Sequence, residues 1–141
     1  MLQKRLNYYS NIPKIVDLGY SLLLILIEKG IKMKLANIPF GITDWSKIEP
    51  TEHAGESGKA FWQTQQFGDL RVRMVEYTPG YVADHWCAKG HILLCLKGEL
   101  QTELKDGRQV VLKPGMSYQV ADNTEPHRSK SESGAVLFIV D

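Results

Sequence analysis

The segment DHWCAKGH, Asp84 to His91, gathers into eight residues two of the four histidines and one of the two cysteines in the chain. Imidazole nitrogen and thiolate sulfur are donors that zinc, iron(II), nickel and copper favour. In an extended strand, side chains two apart share a face, which sets His85 and Cys87 together with Trp86 opposite. Ala88-Lys89-Gly90 leaves room for a turn or bulge before His91, and His127, just after a polar loop, completes a set of four. A second reading competes: a buried histidine is often only hydrogen-bonded, and a cysteine is often apolar filler. Spacing alone leaves both open. Cys95, inside the run HILLCL, reads as filler, and His53, in the polar stretch HAGESGKA, as a surface residue. Gly58-Lys59 in that stretch lacks the flanking residues of a phosphate-binding loop, since His53 stands where Gly is needed and Ala60 where Ser or Thr is needed.

The elements that would carry these residues read as all-β from Ile38 onward. Trp45 is the expected packing anchor of an irregular lead-in. The stretch 53–60 reads as a loop, and strands are expected at Phe61–Phe67 and Leu70–Tyr77. In the second of these, Leu70, Val72 and Met74 form one apolar face, while Arg71 and Arg73 share the other with Val75 and Tyr77. His91–Leu96, bounded by Gly90 and Gly98, reads as a strand buried on both faces. Leu100–Lys105 alternates, Asp106-Gly107 is a hairpin signal, and Arg108–Leu112 returns. Met116–Val120, His127–Ser131 and Ala135–Val140 follow, separated by Pro114-Gly115 before the first, the polar loop 121–126 and Ser133-Gly134. Short strands with turns every eight to twelve residues predict a β-sandwich or barrel.

The 141 residues suffice for one domain; 43% are apolar, 23% are charged and the net charge is +1, so nothing electrostatic points to nucleic acid or an anionic membrane. Two cysteines without framework spacing argue against a disulfide-stapled secreted domain and make a cytoplasmic setting the expectation. Residues 1–32 read as a separate extension. The apolar run Leu18–Ile27 is shorter than the ~20 residues of a membrane span, so stable membrane insertion is not expected. Three readings stand for the extension: a start assigned upstream of Met33, an apolar helix, or a signal or anchor segment. The domain is expected at 33–141.

The region from about Met74 to Val140 resembles the cupin superfamily, and within it the small bacterial single-domain proteins called DHCW-motif cupin fold proteins. The superfamily's first motif runs Gly, five residues, His-x-His, three or four residues, Glu, six residues, Gly. Here Gly80 precedes His85-Trp86-Cys87, then come Ala88-Lys89-Gly90, His91, six residues and Gly98. His85 matches the first histidine, Cys87 replaces the second, and His91 replaces the glutamate; the Gly80 spacing is one residue short. In the second motif Pro114-Gly115 opens, 121–126 stands for Pro-x-Gly-x-x, and His127 matches the histidine, one residue later than usual. Asp84, His85, Trp86 and Cys87 supply the four letters of the group's name with the last two exchanged.

The resemblance implies a double-stranded β-helix, the cupin jelly-roll barrel, of six to eight strands. A short N-terminal extension, helical or disordered, precedes it. One divalent metal is expected at its centre, on His85, His91 and His127, with Cys87 as fourth ligand or neighbour. A thiolate at Cys87 favours zinc, whereas a protonated one leaves a three-histidine site suited to iron(II); nickel, manganese and copper are also admissible. Whether the protein is an enzyme stays open at this level. A metal-dependent dioxygenase or isomerase acting on a small molecule in the barrel stands beside a non-catalytic ligand-binding, metal-binding or sensing module. Tyr118 and Glu125 are the catalytic candidates, and Asp84 is expected to point away from His85. A homodimer is expected, with the face carrying Arg71 and Arg73 preferred as the dimer surface over a site for an anionic substrate.

Overall fold

Alternating side chains between glycine-bearing turns produce an antiparallel β structure in the computed structural model, which describes residues 38–141. After a single 3-10 turn at Trp45–Lys47, the described residues form strands β1 (Thr51–Ala54), β2 (Lys59–Phe67), β3 (Leu70–Tyr77), β4 (Tyr81–Val82), β5 (His91–Gly98), β6 (Leu100–Leu104), β7 (Gln109–Leu112), β8 (Ser117–Val120), β9 (His127–Ser131) and β10 (Ala135–Val140). The expected extension 1–32 and the boundary at Met33 lie outside the described residues. Among the described residues, no helix is long and apolar enough to cross a membrane.

Two sheets form, one in the order β1-β2-β3-β10-β5-β8 and the other β4-β9-β6-β7. From β3 onward the chain passes back and forth between them, with only the β6–β7 hairpin staying on one side. This winding is the double-stranded β-helix. Its interior is filled by Ala60, Val75, Tyr77, Tyr81, Leu93, Cys95, Leu100, Leu112, Ala135, Leu137 and Ile139. Tyr77 and Tyr81 stack with ring centroids 4.0 Å apart. Gly98, which joins β5 to β6 across the sheets, has φ +69°, and a Cβ there would lie 2.0 Å from the Gly134 carbonyl oxygen, so only glycine fits.

Several details depart from the sequence expectations, beginning with ten strands among the described residues where six to eight are implied, β4 not among those expected. In β5 only one face is buried: Leu93 and Cys95 are 2% and 0% exposed, whereas Ile92 is 56% and Leu96 38% exposed. The outer face of this sheet is only partly covered, in part by Trp45, whose ring meets Phe138 edge-on at 6.2 Å. His53 lies in β1 rather than a loop and stacks on Trp62 with centroids 3.8 Å apart. In β3 the mixed face turns inward: Arg73, Val75 and Tyr77 are 7%, 1% and 9% exposed. A dimer surface on that face is therefore excluded by burial. The guanidiniums can point inward because Asp141 accepts from Arg71 Nε and Nη2 at 2.8 and 2.7 Å and from Arg73 Nη2 at 2.6 Å.

Candidate metal centre and its cavity

Each sheet contributes one histidine. His91 opens β5 on the same face as Leu93, whose cross-strand partner on β8 is Tyr118. His127 opens β9 and pairs with Leu104 of β6. Cys87 lies on the link between β4 and β5. It is fixed to His127 by an isolated antiparallel bridge, in which the Cys87 N–H donates to the His127 carbonyl at 2.8 Å and the His127 N–H to the Cys87 carbonyl at 3.0 Å. One ligand atom from each of Cys87, His91 and His127 lies within 4.8 Å of the others.

His85 is not part of this cluster. The chain bends at Asp84 and His85 instead of running extended, so the two-residue alternation that paired His85 with Cys87 does not apply. The His85 side chain is 70% exposed, with Nδ1 2.6 Å from the Asp84 carboxylate, so Asp84 turns toward His85 rather than away. His85 still lines the cavity beside the cluster. Tyr118 joins the site, its hydroxyl 3.0 Å from His91 Nε2. The Glu125 carboxylate bonds Arg108 and lines a neighbouring cavity of about 180 Å³. Its contribution to the centre is the backbone carbonyl, which accepts from His127 Nδ1 at 2.9 Å.

That last bond fixes the ring chemistry. A carbonyl only accepts, so Nδ1 of His127 carries a proton and Nε2 faces the cluster, 3.1 Å from His91 Nε2. Two nitrogens sharing a tetrahedral metal at about 2.0–2.1 Å would stand ~3.3 Å apart. The donor set of one sulfur and two facing imidazoles, with one Nδ1–H already anchored to a carbonyl, thus fits a zinc-type ion. Free of metal, the cluster holds a proton instead. Hydrogen bonding first to His127 and then to His91 brings the Cys87 thiol down from 9.0 to about 5. The same contact raises His127, giving a thiolate beside an imidazolium. Burial pushes Tyr118 up, so it stays a neutral phenol able to donate.

The cluster forms part of the wall of a cavity of about 230 Å³. The rest of that wall includes Trp62, Arg71, Arg73, Tyr77, Tyr81 and Asp141. Sequence reasoning did not assign Trp62 or Asp141 to the site. Asp141 meets the arginines across 68 to 70 residues of chain, a pairing no local pattern could signal.

No family model and no curated protein matches the sequence. Solved structures do match the fold. A protein from Thermotoga maritima described as a predicted oxalate decarboxylase superposes with a TM-score of 0.61 at 17% identity, over 71% of this chain and 96% of that one. An RmlC-like cupin from Shewanella frigidimarina gives 0.56 at 19% identity, over 74% and 92%. Ectoine synthase from P. lautus gives 0.59 at 15% identity, over 72% and 76%. With two antiparallel sheets wound by a chain that alternates between them, and these structures as its likenesses, the chain has the fold of the cupin superfamily.

Proposed function

We propose that Cys87, His91 and His127 hold one divalent transition metal and that the centre acts on a small molecule in the adjoining cavity. The carrying observation is the convergence of the three ligand atoms within 4.8 Å on the wall of that cavity. A thiolate in the donor set favours zinc over iron(II). Three protein ligands leave a coordination position for substrate, as catalytic zinc sites do, and this favours an enzyme. Bound there, the metal supplies a Lewis acid that polarises a substrate oxygen, the requirement of isomerase or lyase chemistry. The chain's own residues do the rest. The Glu125 carbonyl holds the His127 tautomer, Tyr118 offers a hydrogen-bond donor beside His91, and Leu93 and Tyr81 form apolar wall. Three of the structural likenesses are described as a predicted oxalate decarboxylase, an ectoine synthase and Fe(II)-HppE, but at this identity they support the fold and choose no reaction. The grouping with DHCW-motif cupins rests on Asp84, His85, Trp86 and Cys87 and belongs to this proposal.

A second reading has its own observation: His85 lines the same cavity. If its ring leaves Asp84 and closes the site, four protein ligands suit a binding or sensing module. Elemental mass spectrometry on the full chain, purified without an immobilised-metal column, separates the two. About one equivalent of zinc in the wild type and in His85→Ala, lost in Cys87→Ser, is the result expected of the open centre. Loss in His85→Ala as well would establish the closed site. No metal in any preparation, even after reconstitution, would remove the metal centre altogether.

A further inference from the structure

The cavity wall carries donors left unsatisfied among the described residues. Arg73 is 7% exposed, and its Nε is buried without a hydrogen-bond partner among the described residues. Its Nη2 bonds Asp141, so only half of its planar fork is used. The guanidinium lies over the Trp62 ring, 4.4 Å from the centroid, and Trp62 Nε1 is likewise buried without a partner. Both residues line the cavity next to the Cys87, His91 and His127 cluster.

The charges point the same way. Asp141 is one carboxylate shared between two guanidiniums, those of Arg71 and Arg73. Burial pulls Arg73 below its ordinary value despite that partner. Lys89 and Arg128 add two further cations to the wall. Arg128 is engaged with Glu103 at 3.1 Å, Glu56 at 3.4 Å and the ring of Trp86. On the cavity side, therefore, positive charge exceeds what Asp141 neutralises. A buried guanidinium with an unused donor is costly unless an anionic oxygen can reach it.

We infer that the cavity takes a small carboxylate, its oxygens received by the guanidiniums of Arg71 and Arg73 beside the Trp62 ring, with the remainder of the molecule directed along the wall that carries the proposed metal cluster. This rests on the proposed centre for its second half only; the anion subsite stands on Arg71, Arg73 and Trp62. A volume of about 230 Å³ lies below the ~300–1,000 Å³ of sites for drug-sized ligands, which restricts the occupant to a small acid.

Malonate is a suitable probe, with malonamide as its uncharged counterpart. Titration calorimetry on the full chain, zinc-loaded and chelator-treated, is expected to show malonate binding in both forms and no binding of malonamide. The affinity should fall with added salt. Arg71→Gln and Arg73→Lys, the second keeping the charge but removing the planar guanidinium fork, should each weaken malonate by roughly tenfold or more in the metal-free form. If Arg73→Lys fails to fold, the half-exposed Arg71 decides alone. Equal binding of malonate and malonamide, absence of malonate binding, or indifference to Arg71→Gln overturns the inference. Malonate bound only by the zinc-loaded form and unaffected by Arg71→Gln would overturn it while leaving the metal centre standing. Malonate binding in a protein that never takes up metal would do the reverse.

Discussion

An ordinary cysteine thiol ionises near 9.0, yet Cys87 is brought to about 5 because hydrogen bonds from the His127 and His91 rings outweigh the burial that opposes its charge. Its folded value lies below its unfolded one, so the ionised thiol contributes fully to metal-free stability above about pH 9 and the contribution disappears as pH falls to about 5. His127 is shifted the other way: its contribution is complete below 6.5 and lost as pH rises through its raised folded value. Acid removes the thiolate and alkali the imidazolium, so the pair holds between those limits. Alkylation of the metal-free protein by iodoacetamide should accordingly rise with a midpoint near pH 5, at Cys87 alone. Cys95, fully buried and shifted upward by desolvation, should stay unmodified. A midpoint above pH 8 would show that the two histidines do not engage the sulfur. At this scale the sequence named the three side chains, Cys87, His91 and His127, that the fold brings together. It could not disclose that His85 stands apart from that cluster, because this follows from a bend at Asp84 and His85 and from an ion pair with an adjacent residue, neither of which has a periodicity to read.

The link from Cys87 to β5 decides whether His91 meets the other two members of the cluster. Gly90 donates its N–H to Asp122 Oδ1 at 2.7 Å, and the Asn123 N–H donates to the Ala88 carbonyl at 2.7 Å, so the link is laced to the loop after β8. A Cβ at Gly90 would lie 2.6 Å from the Asp122 nitrogen and 2.9 Å from the Ala121 carbonyl carbon, both backbone atoms that cannot swing aside. Gly90→Ala must then push the start of β5 away from that loop and carry His91 with it. We expect zinc affinity, measured by competition with a chromophoric chelator, to fall about tenfold or more while the far-ultraviolet spectrum stays β. Unchanged affinity would mean the cluster does not depend on this approach. Strand positions were legible because alternation and turn residues are local signals. The inward direction of β3 was not. Alternation reports which residues share a face, and an apolar face is normally taken as the inner one. Here Arg71 and Arg73 face inward because a distant carboxylate and the Trp62 ring receive them. The one-sided burial of β5 was hidden for a related reason: an unbroken apolar run looks the same whether its outer face is covered or not.

The winding of the chain between two sheets gives the centre a mechanical consequence. His91 belongs to the six-stranded sheet and His127 to the four-stranded one, and Cys87 lies on a segment that crosses between them. A metal held by all three, as proposed, would tie the sheets together at the edge of the cavity, beside the Tyr77–Tyr81 stack that already joins them. Without it the region is held by the Cys87–His127 bridge and by a thiolate–imidazolium pair partly open to solvent, where charge attraction is worth little. On the proposed centre metal binding would be linked to folding: at free zinc about 100 times its dissociation constant, the folded state would gain ~2.7 kcal/mol. A domain of about this size shifts its Tm by ~4–8 °C per kcal/mol. Chelation should lower the Tm of the wild type by roughly 10 °C or more, as read by calorimetry. Cys87→Ser should melt near the chelated wild type and respond little to either zinc or chelator, whereas Arg71→Gln, which removes none of the three proposed ligands, should keep a zinc-dependent shift even if its pair with Asp141 is lost. Equal melting of the wild type with and without chelator would mean that the cluster closes the two sheets through its proton alone.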